Sequence, residues 1–318
     1  MTWRAALDSP VFVTFAGLLI GLLAVAGLLL LVLRRVTGSR LEHAVRSYRG
    51  WTIMVPLFLA AIFLGRAATI VLFAILALFG MKEFARGTGL YRDWWMTGVV
   101  DLAIVGVFVC CLVSDPSAGV HGWLGMFQAM PVYAVALILL VPILRDRTEG
   151  QLQAMALGAV GFVYIGWMFG HLAFVANSPH AYGYILYLVF AVEANDIAAY
   201  VCGKRFGRRA LRPRISPNKT LGGALGAIVV SMALPFAFRF ALPHFATGEL
   251  LLTGVIVGVG GQLGDLSISV IKRDLGVKDM GALIPGHGGI LDRLDSLIFV
   301  SPMFFHMVHY CHGIYAVA

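Results

Sequence analysis

Residues 11–33 read VFVTFAGLLIGLLAVAGLLLLVL, and Arg34-Arg35 follow at once. A charge-free helix of this length, rising about 1.5 Å per residue, crosses the ~30 Å hydrocarbon core of a bilayer. The run is longer than the core of a secretory leader, and its basic pair follows it instead of preceding it. It therefore reads as a retained span. Working outward, further apolar runs lie near 51–65, 67–81, 94–113, 128–144, 152–175, 181–202, 221–240, 250–271 and 294–313. The chain as a whole is 60% hydrophobic and 13% charged, with mean hydropathy +0.88. Soluble chains carry about 25% charged residues, and a soluble domain of this size has too little interior to hide so much apolar surface. A soluble enzyme and a disordered chain are both excluded. The expected fold is all-α: a polytopic integral membrane protein of about ten transmembrane helices. The number falls to nine or eight if 51–81 is a hairpin that does not cross. Three regions are expected: 1–50, a transmembrane helix with a basic interfacial helix at 34–50; 51–180, an N-terminal bundle; and 181–318, a catalytic bundle with cytoplasmic loops 203–220 and 272–293.

Charge fixes the orientation. Ten alternating spans place the loops at 34–50, 82–93, 145–150, 203–220 and 272–293 on one side, with 5, 3, 2, 7 and 4 Lys/Arg, 21 of the chain's 24. Only Arg4, Arg66 and Arg239 fall elsewhere. This bias assigns the basic side to the cytoplasm. The net charge of +8 is thus the inner face of a membrane protein. It calls for anionic lipid and nucleotide phosphate as partners, not nucleic acid.

Polar residues inside apolar runs are costly and mark function. In the ninth run Gln262, Asp265, Ser269 and Lys272 fall within roughly an 80° arc of one helical face. Asp265 lies seven residues before Lys272, about 10 Å below the basic boundary, at headgroup depth. Asp292 and Asp295 share a face at the start of the tenth run, where a helix N-terminus also favours carboxylates. Glu193, Asp196, Tyr200 and Lys204 share a face at the end of the seventh. Carboxylates from three helices at one edge repel unless neutralised, and oxygen donors suit magnesium, with manganese as substitute. Ser216, Lys219 and Thr220 precede the glycine-rich helix start Gly222-Gly223, a phosphate-binding arrangement. Small-xxx-small pairs at Gly222/Gly226, Gly254/Gly258 and Gly260/Gly264 allow close helix packing and permit a homodimer without requiring one. His306, His309 and His312 lie toward the other end of the last run and read as interfacial anchors.

The stretch Ser269–Asp295, SVIKRDLGVKDMGALIPGHGGILDRLD, resembles the C-terminal motif of the CDP-diacylglycerol synthases, also called phosphatidate cytidylyltransferases. The motif's positions are filled by Ser269, Lys272, Arg273, Lys278, Asp279, His287, Gly288, Gly289, Asp292, Arg293 and Asp295. Ser216-Pro217-Asn218-Lys219-Thr220 resembles the family's second motif, and Asp196 to Tyr200 its Asp-x-x-Ala-Tyr segment; Lys82-Glu83-Phe84 is a fainter echo. The chain departs at Gly222, where the family usually carries an acid.

The resemblance implies that CTP and phosphatidate give CDP-diacylglycerol and pyrophosphate, with Mg2+ as cofactor. By the same resemblance Asp265 and Asp292 hold the metal, with Asp295 close by. Lys219, Lys272, Arg273, Lys278 and Arg293 bind phosphates; Ser216 and Thr220 donate hydrogen bonds to them; His287 positions one. Asp196, Tyr200, Ser269, Asp279, Gly288 and Gly289 complete the substrate site. The implied place is the inner membrane of a bacterium, with the site facing the cytoplasm. Two alternatives remain at this point: a CTP-dependent enzyme of another, isoprenoid-type lipid phosphate, and a transporter, which would set its charges near the midplane.

Overall fold

The computed structural model describes residues 1–37, 41–115, 117–284 and 288–315, with only the backbone described at Val36, Thr37 and His43. The short α1 (Trp3–Asp8) leads into α2 (Pro10–Thr37), α3 (Glu42–Leu64), α4 (Arg66–Thr88), α5 (Trp94–Leu112) and α6 (Leu124–Leu144). Next come α7 (Gln151–Gly161), a π-helical segment over Phe162–Met168, and α8 (Phe169–Phe174). The chain closes with α9 (Ala181–Phe206), β1 (Ala210–Arg212), β2 (Ser216–Thr220), α10 (Leu221–Ala237), α11 (Thr247–Asp274) and α12 (Leu291–His312).

Among the described residues, eight helical runs are long and apolar enough to cross a membrane: α2 to α6, Gln151–Asn177, α9 and α11. The 17-residue α10 and the 22-residue α12 occupy the other two expected positions. Helices satisfy every backbone group within their own segment, which lipid demands. The chain is an all-α integral membrane protein.

Both helices of the expected hairpin at 51–81 are long and apolar enough to cross a membrane. Helices α3 and α4 have 23 residues each, and they reverse at Gly65, whose φ of 114° excludes a side chain at ordinary cost. Residues 42–50 are the opening turns of α3 and not a separate element; Arg40 lies outside the described residues. The basic stretch 203–220, expected as a loop, contains an antiparallel pair in which Ala210 faces Thr220 and Arg212 faces Ser216.

The C-terminal helices pack most closely, because glycines let backbones touch. At Gly264 a Cβ would come within 2.5 Å of the Asp295 carbonyl oxygen and 2.8 Å of Ser296 Cα, so α11 and α12 cross in contact there. Ser296 Oγ donates to the Gly261 carbonyl at 2.9 Å on the next turn. Gly254 and Gly258 receive Met232 and Ile228 of α10, and Gly226 receives Cys202 of α9. These small faces bind helices of one chain to each other. The antiparallel crossing of α11 and α12 sets Lys272 of one opposite Asp292 of the other.

The π-helical segment has a local consequence. It holds Tyr164, whose hydroxyl donates to the Asp295 carbonyl at 3.1 Å, with the Gly264 carbonyl at 3.4 Å. A π turn inserted in an α-helix re-aims side chains, and here it brings one to the α11–α12 crossing.

Candidate active site

Four elements bring charge to the basic end of the bundle. β2 ends in Lys219, whose Nζ lies 2.6 Å from Asp265 Oδ2 on α11. Two turns further along α11, Lys272 Nζ lies 2.9 Å from Asp292 Oδ1 at the start of α12. Ser269, between them, donates its hydroxyl to Asp265 Oδ1 at 3.1 Å. The arc read from the sequence thus has its acid, hydroxyl and amine all engaged in polar contacts at this end of the bundle. Asp292 is buried, and its other oxygen accepts N–H bonds from Met280 at 2.9 Å and Gly289 at 3.0 Å. Asp295, also buried, accepts from its neighbour's N–H, Ser296, at 2.7 Å and lies within electrostatic reach of Asp265 and Asp196. Arg293 in turn faces Glu193 and Asp196 of α9 through charge.

The loops are tied to this cluster. Arg273 Nε donates to the Ile215 carbonyl at 3.1 Å and so fastens the β1–β2 turn to the end of α11. Thr220 caps α10: its Oγ1 accepts from Gly223 N–H at 3.1 Å, so the hydroxyl has a structural duty besides any contact with phosphate. Ser216 opens β2 opposite Arg212. Gly288 adopts φ 81°, which bends the chain toward Asp292.

Three expected residues are exposed, with Asp279 beside Gly288. Tyr200 is 62% exposed and lies beneath Lys204, whose Nζ is 4.5 Å from the ring centroid. Lys278 and Asp279 are exposed on the connection between α11 and α12. His287 lies outside the described residues.

The departure at position 222 has a steric reason. A Cβ on Gly222 would approach the Phe206 carbonyl oxygen to 2.8 Å, because the start of α10 sits directly against the end of α9. This backbone leaves no room for the family's acid.

Sequence reasoning missed Glu83 as a site residue. Its carboxylate, from α4, accepts the N–H groups of Ile290 at 3.0 Å and Leu291 at 2.9 Å. An acid near the end of an apolar run was a signal, but its partner 207 residues away was not legible. Another acid at this end is structural. Asp93 caps α5 through Met96 N–H at 3.2 Å and pairs with Arg145 at 2.6 Å. Burial alone would raise its carboxyl; the bonds to Arg145 and Met96 and the arginine charge outweigh that and hold it below its ordinary value.

The donors at the site are carboxylate oxygens, which suit a hard divalent ion. Among the described residues no three His, Cys, Asp or Glu are gathered so as to hold a metal unaided. Magnesium needs only one or two carboxylates from a protein and completes its shell with substrate phosphates and water. Lysine ammonium groups occupy cationic positions on Asp265 and Asp292. The donor set fits the ion.

Comparison with known proteins gives the family. The sequence pattern of the cytidylyltransferase family matches residues 46–311. The chain is 35% identical over 259 residues to the phosphatidate cytidylyltransferase of Staphylococcus haemolyticus (strain JCSC1435), covering 79% of this chain and 94% of that protein. It is 34% identical over 255 residues to the phosphatidate cytidylyltransferase of Staphylococcus aureus (strain COL), with the same coverage of 79% and 94%. It is also 30% identical over 279 residues to the uncharacterized protein YnbB of Escherichia coli (strain K12), covering 86% of this chain and 89% of that one. The chain belongs to the cytidylyltransferase family, a class of nucleotidyltransferases. The transporter alternative falls with that assignment.

Proposed function

We propose that this protein is a phosphatidate cytidylyltransferase that makes CDP-diacylglycerol and pyrophosphate from CTP and phosphatidate. The observation that carries the reading is the pair of Lys–Asp contacts, Lys219–Asp265 and Lys272–Asp292, which join β2, α11 and α12 at the headgroup end of the membrane helices. A lipid phosphate reaches that depth with its acyl chains still in the bilayer, and a nucleotide reaches it from water.

An oxygen of the lipid phosphomonoester attacks the α-phosphorus of CTP; the bond to the bridging oxygen breaks, and pyrophosphate leaves with the electron pair. The attacking oxygen is already anionic near neutral pH, so the protein needs no strong base. Its work is to position and to neutralise. Lys219, Lys272, Arg273, Lys278 and Arg293 bind phosphate oxygens, and His287 positions one of the phosphates. Ser216, Ser269 and Thr220 orient them by hydrogen bonds. Lys219 and Lys272 exchange a carboxylate for a phosphate partner when substrate arrives. Asp265 and Asp292, with Asp295 beside them, would hold Mg2+, or Mn2+ in its place. The ion supplies charge neutralisation on the phosphates and steadies the leaving pyrophosphate. Asp196, Asp279, Gly288 and Gly289 shape the phosphate side of the site, and Tyr200 lies on its lipid-facing rim.

In this reading, residues 181–318 are the catalytic bundle and 51–180 its scaffold. The basic loops face the cytoplasm of a bacterium, as the charge bias favours.

A panel of lipid phosphates tests the acceptor. Purified protein with labelled CTP and magnesium is expected to release pyrophosphate with phosphatidate. Release with isoprenoid phosphate and not with phosphatidate would overturn the acceptor while keeping the reaction class.

A further inference from the structure

The start of α12 is held by a side chain from the other half of the chain. Ile290 and Leu291 stand at the helix N-terminus, where backbone N–H groups have no intrahelical acceptor. Glu83 of α4 supplies both acceptors, Oε1 to Ile290 and Oε2 to Leu291. A carboxylate here also meets the positive end of the helix dipole.

The neighbouring loop is built around that carboxylate. A Cβ at Gly281 or at Gly289 would collide with it, and one at Gly289 would also come within 2.8 Å of the Gly281 backbone nitrogen. On the other side of the same loop, Asp292 accepts from Met280 and Gly289. Met280 in turn lies against α4, where a Cβ at Gly87 would be 3.1 Å from its Cε. Glu83 and Asp292 thus grip one loop from two sides, and Asp292 directly follows the pair of N–H groups that Glu83 holds.

We propose that Glu83 is a positioning residue for the cytidylyl-transfer site: by fixing the first turn of α12 and the chain at Gly281 and Gly289, it sets the direction of the Asp292 carboxylate and its distance from Lys272. The proposal rests on the reading of Asp292 and Lys272 as active-site groups. It also gives α4 a task that its apolar sequence does not suggest, the joining of the N-terminal bundle to the reacting groups. Displacements of about 1 Å at such groups cost on the order of a hundredfold in rate.

The test uses the full-length protein in detergent, with Glu83→Gln and Glu83→Asp. Glutamine keeps the size but replaces one acceptor oxygen with a donor, so one of the two N–H bonds is lost. Hydrogen exchange is read on peptides covering 281–292, and kcat and KM for CTP are read in parallel across a magnesium titration. For Glu83→Gln the expectation is exchange about tenfold faster in 281–292, with peptides of α5 and α6 unchanged. kcat should fall by about ten- to a hundredfold with KM for CTP within about threefold of wild type. Glu83→Asp keeps the charge on a shorter arm and should recover part of kcat; it carries the same two readouts if the glutamine variant fails to fold. Wild-type exchange in 281–292, or faster exchange with unchanged kcat, would overturn the proposal. So would a fall in kcat without faster exchange, which would put Glu83 on the substrate itself. If the wild-type protein transfers no cytidylyl group to any lipid phosphate, yet Glu83→Gln still loosens 281–292, the reaction class falls, and with it the positioning role, while the tie from Glu83 to the start of α12 stands.

Discussion

The two ends of the bundle handle charge in opposite ways. At the end away from the basic loops, Arg66 is the first residue of α4, and its guanidinium is consumed by neutral partners. It donates to the carbonyls of Cys111 at 3.1 Å and Leu112 at 2.8 Å, and to Asn177 Oδ1 at 2.7 Å. Asn177 repeats the tie to the Cys111 carbonyl at 3.2 Å. Nearby, His312 pairs with Glu249 at 3.0 Å, and Tyr184 meets His244 at 2.5 Å. At the basic end, by contrast, Lys219 and Lys272 are paired with carboxylates from other elements. Backbone carbonyls cannot be given up without breaking helix ends. A carboxylate partner can be exchanged for a phosphate. Under the proposed function the same charge is a clamp at one end and a binding group at the other, and what distinguishes them is the replaceability of the partner.

Substitutions can break this contrast. The largest effect is expected for Lys272→Met, which leaves Asp292, 4% exposed at its side chain, without its cation. Pyrophosphate release should fall by about a hundredfold or more; a change under about threefold would show Lys272 to be a clamp like Arg66. Arg66→Met should do the reverse. Loss of its charged hydrogen bonds should cost about 1.5–3 kcal/mol of stability, visible in thermal unfolding, with kcat of the folded protein unchanged. A drop in kcat at unchanged stability would erase the distinction between the ends.

Gly222→Glu sharpens it. The restored acid is expected to push α10 off Phe206, costing about 1–3 kcal/mol, because overpacking forces backbone shifts. An unchanged melting temperature would show that α9 and α10 separate freely.

The smallest effect concerns pH at the far end. Burial, with His180 and His312 nearby, pushes His244 down from its usual 6.5 to about 4, against a weaker opposing pull from Glu249; Tyr184 also faces its ring. The unfolded chain thus binds a proton that the folded one refuses. The contribution to stability is present above about pH 6.5 and is lost as pH falls toward 4. Thermal unfolding scanned over that window should show the loss in the wild-type protein and less of it in His244→Asn; identical slopes would remove His244 as its source.

Much of this was legible in the sequence because bilayer spans are long, continuous signals. The run 11–33 and seven of its nine successors were read to within about four residues of the helices they match, whereas 51–65 starts nine residues late in α3 and 67–81 stops seven residues short of the end of α4. The arc of Asp265, Ser269 and Lys272 was also readable, since helical period alone puts those side chains on one face. What stayed hidden depends on contacts between distant segments. Glu83 reaches α12 across most of the chain. Tyr164 reaches the α11–α12 crossing only because Phe162–Met168 winds as a π-helix, for which composition gives no cue. The hairpin β1–β2 was masked by its arginines, which obey the membrane charge bias whatever the backbone does. Burial was less legible than period: Tyr200 shares the face of Asp196 by spacing, yet it is exposed beneath Lys204.

The most direct test compares the wild-type protein with Asp265→Asn, both purified and reconstituted with phosphatidate, labelled CTP and magnesium. Labelled cytidylyl lipid and pyrophosphate should form in equal amounts with the wild type and not with the variant, whose melting temperature should stay within a few degrees. Undiminished product from Asp265→Asn, or none from the wild type with any lipid phosphate, would contradict the site described.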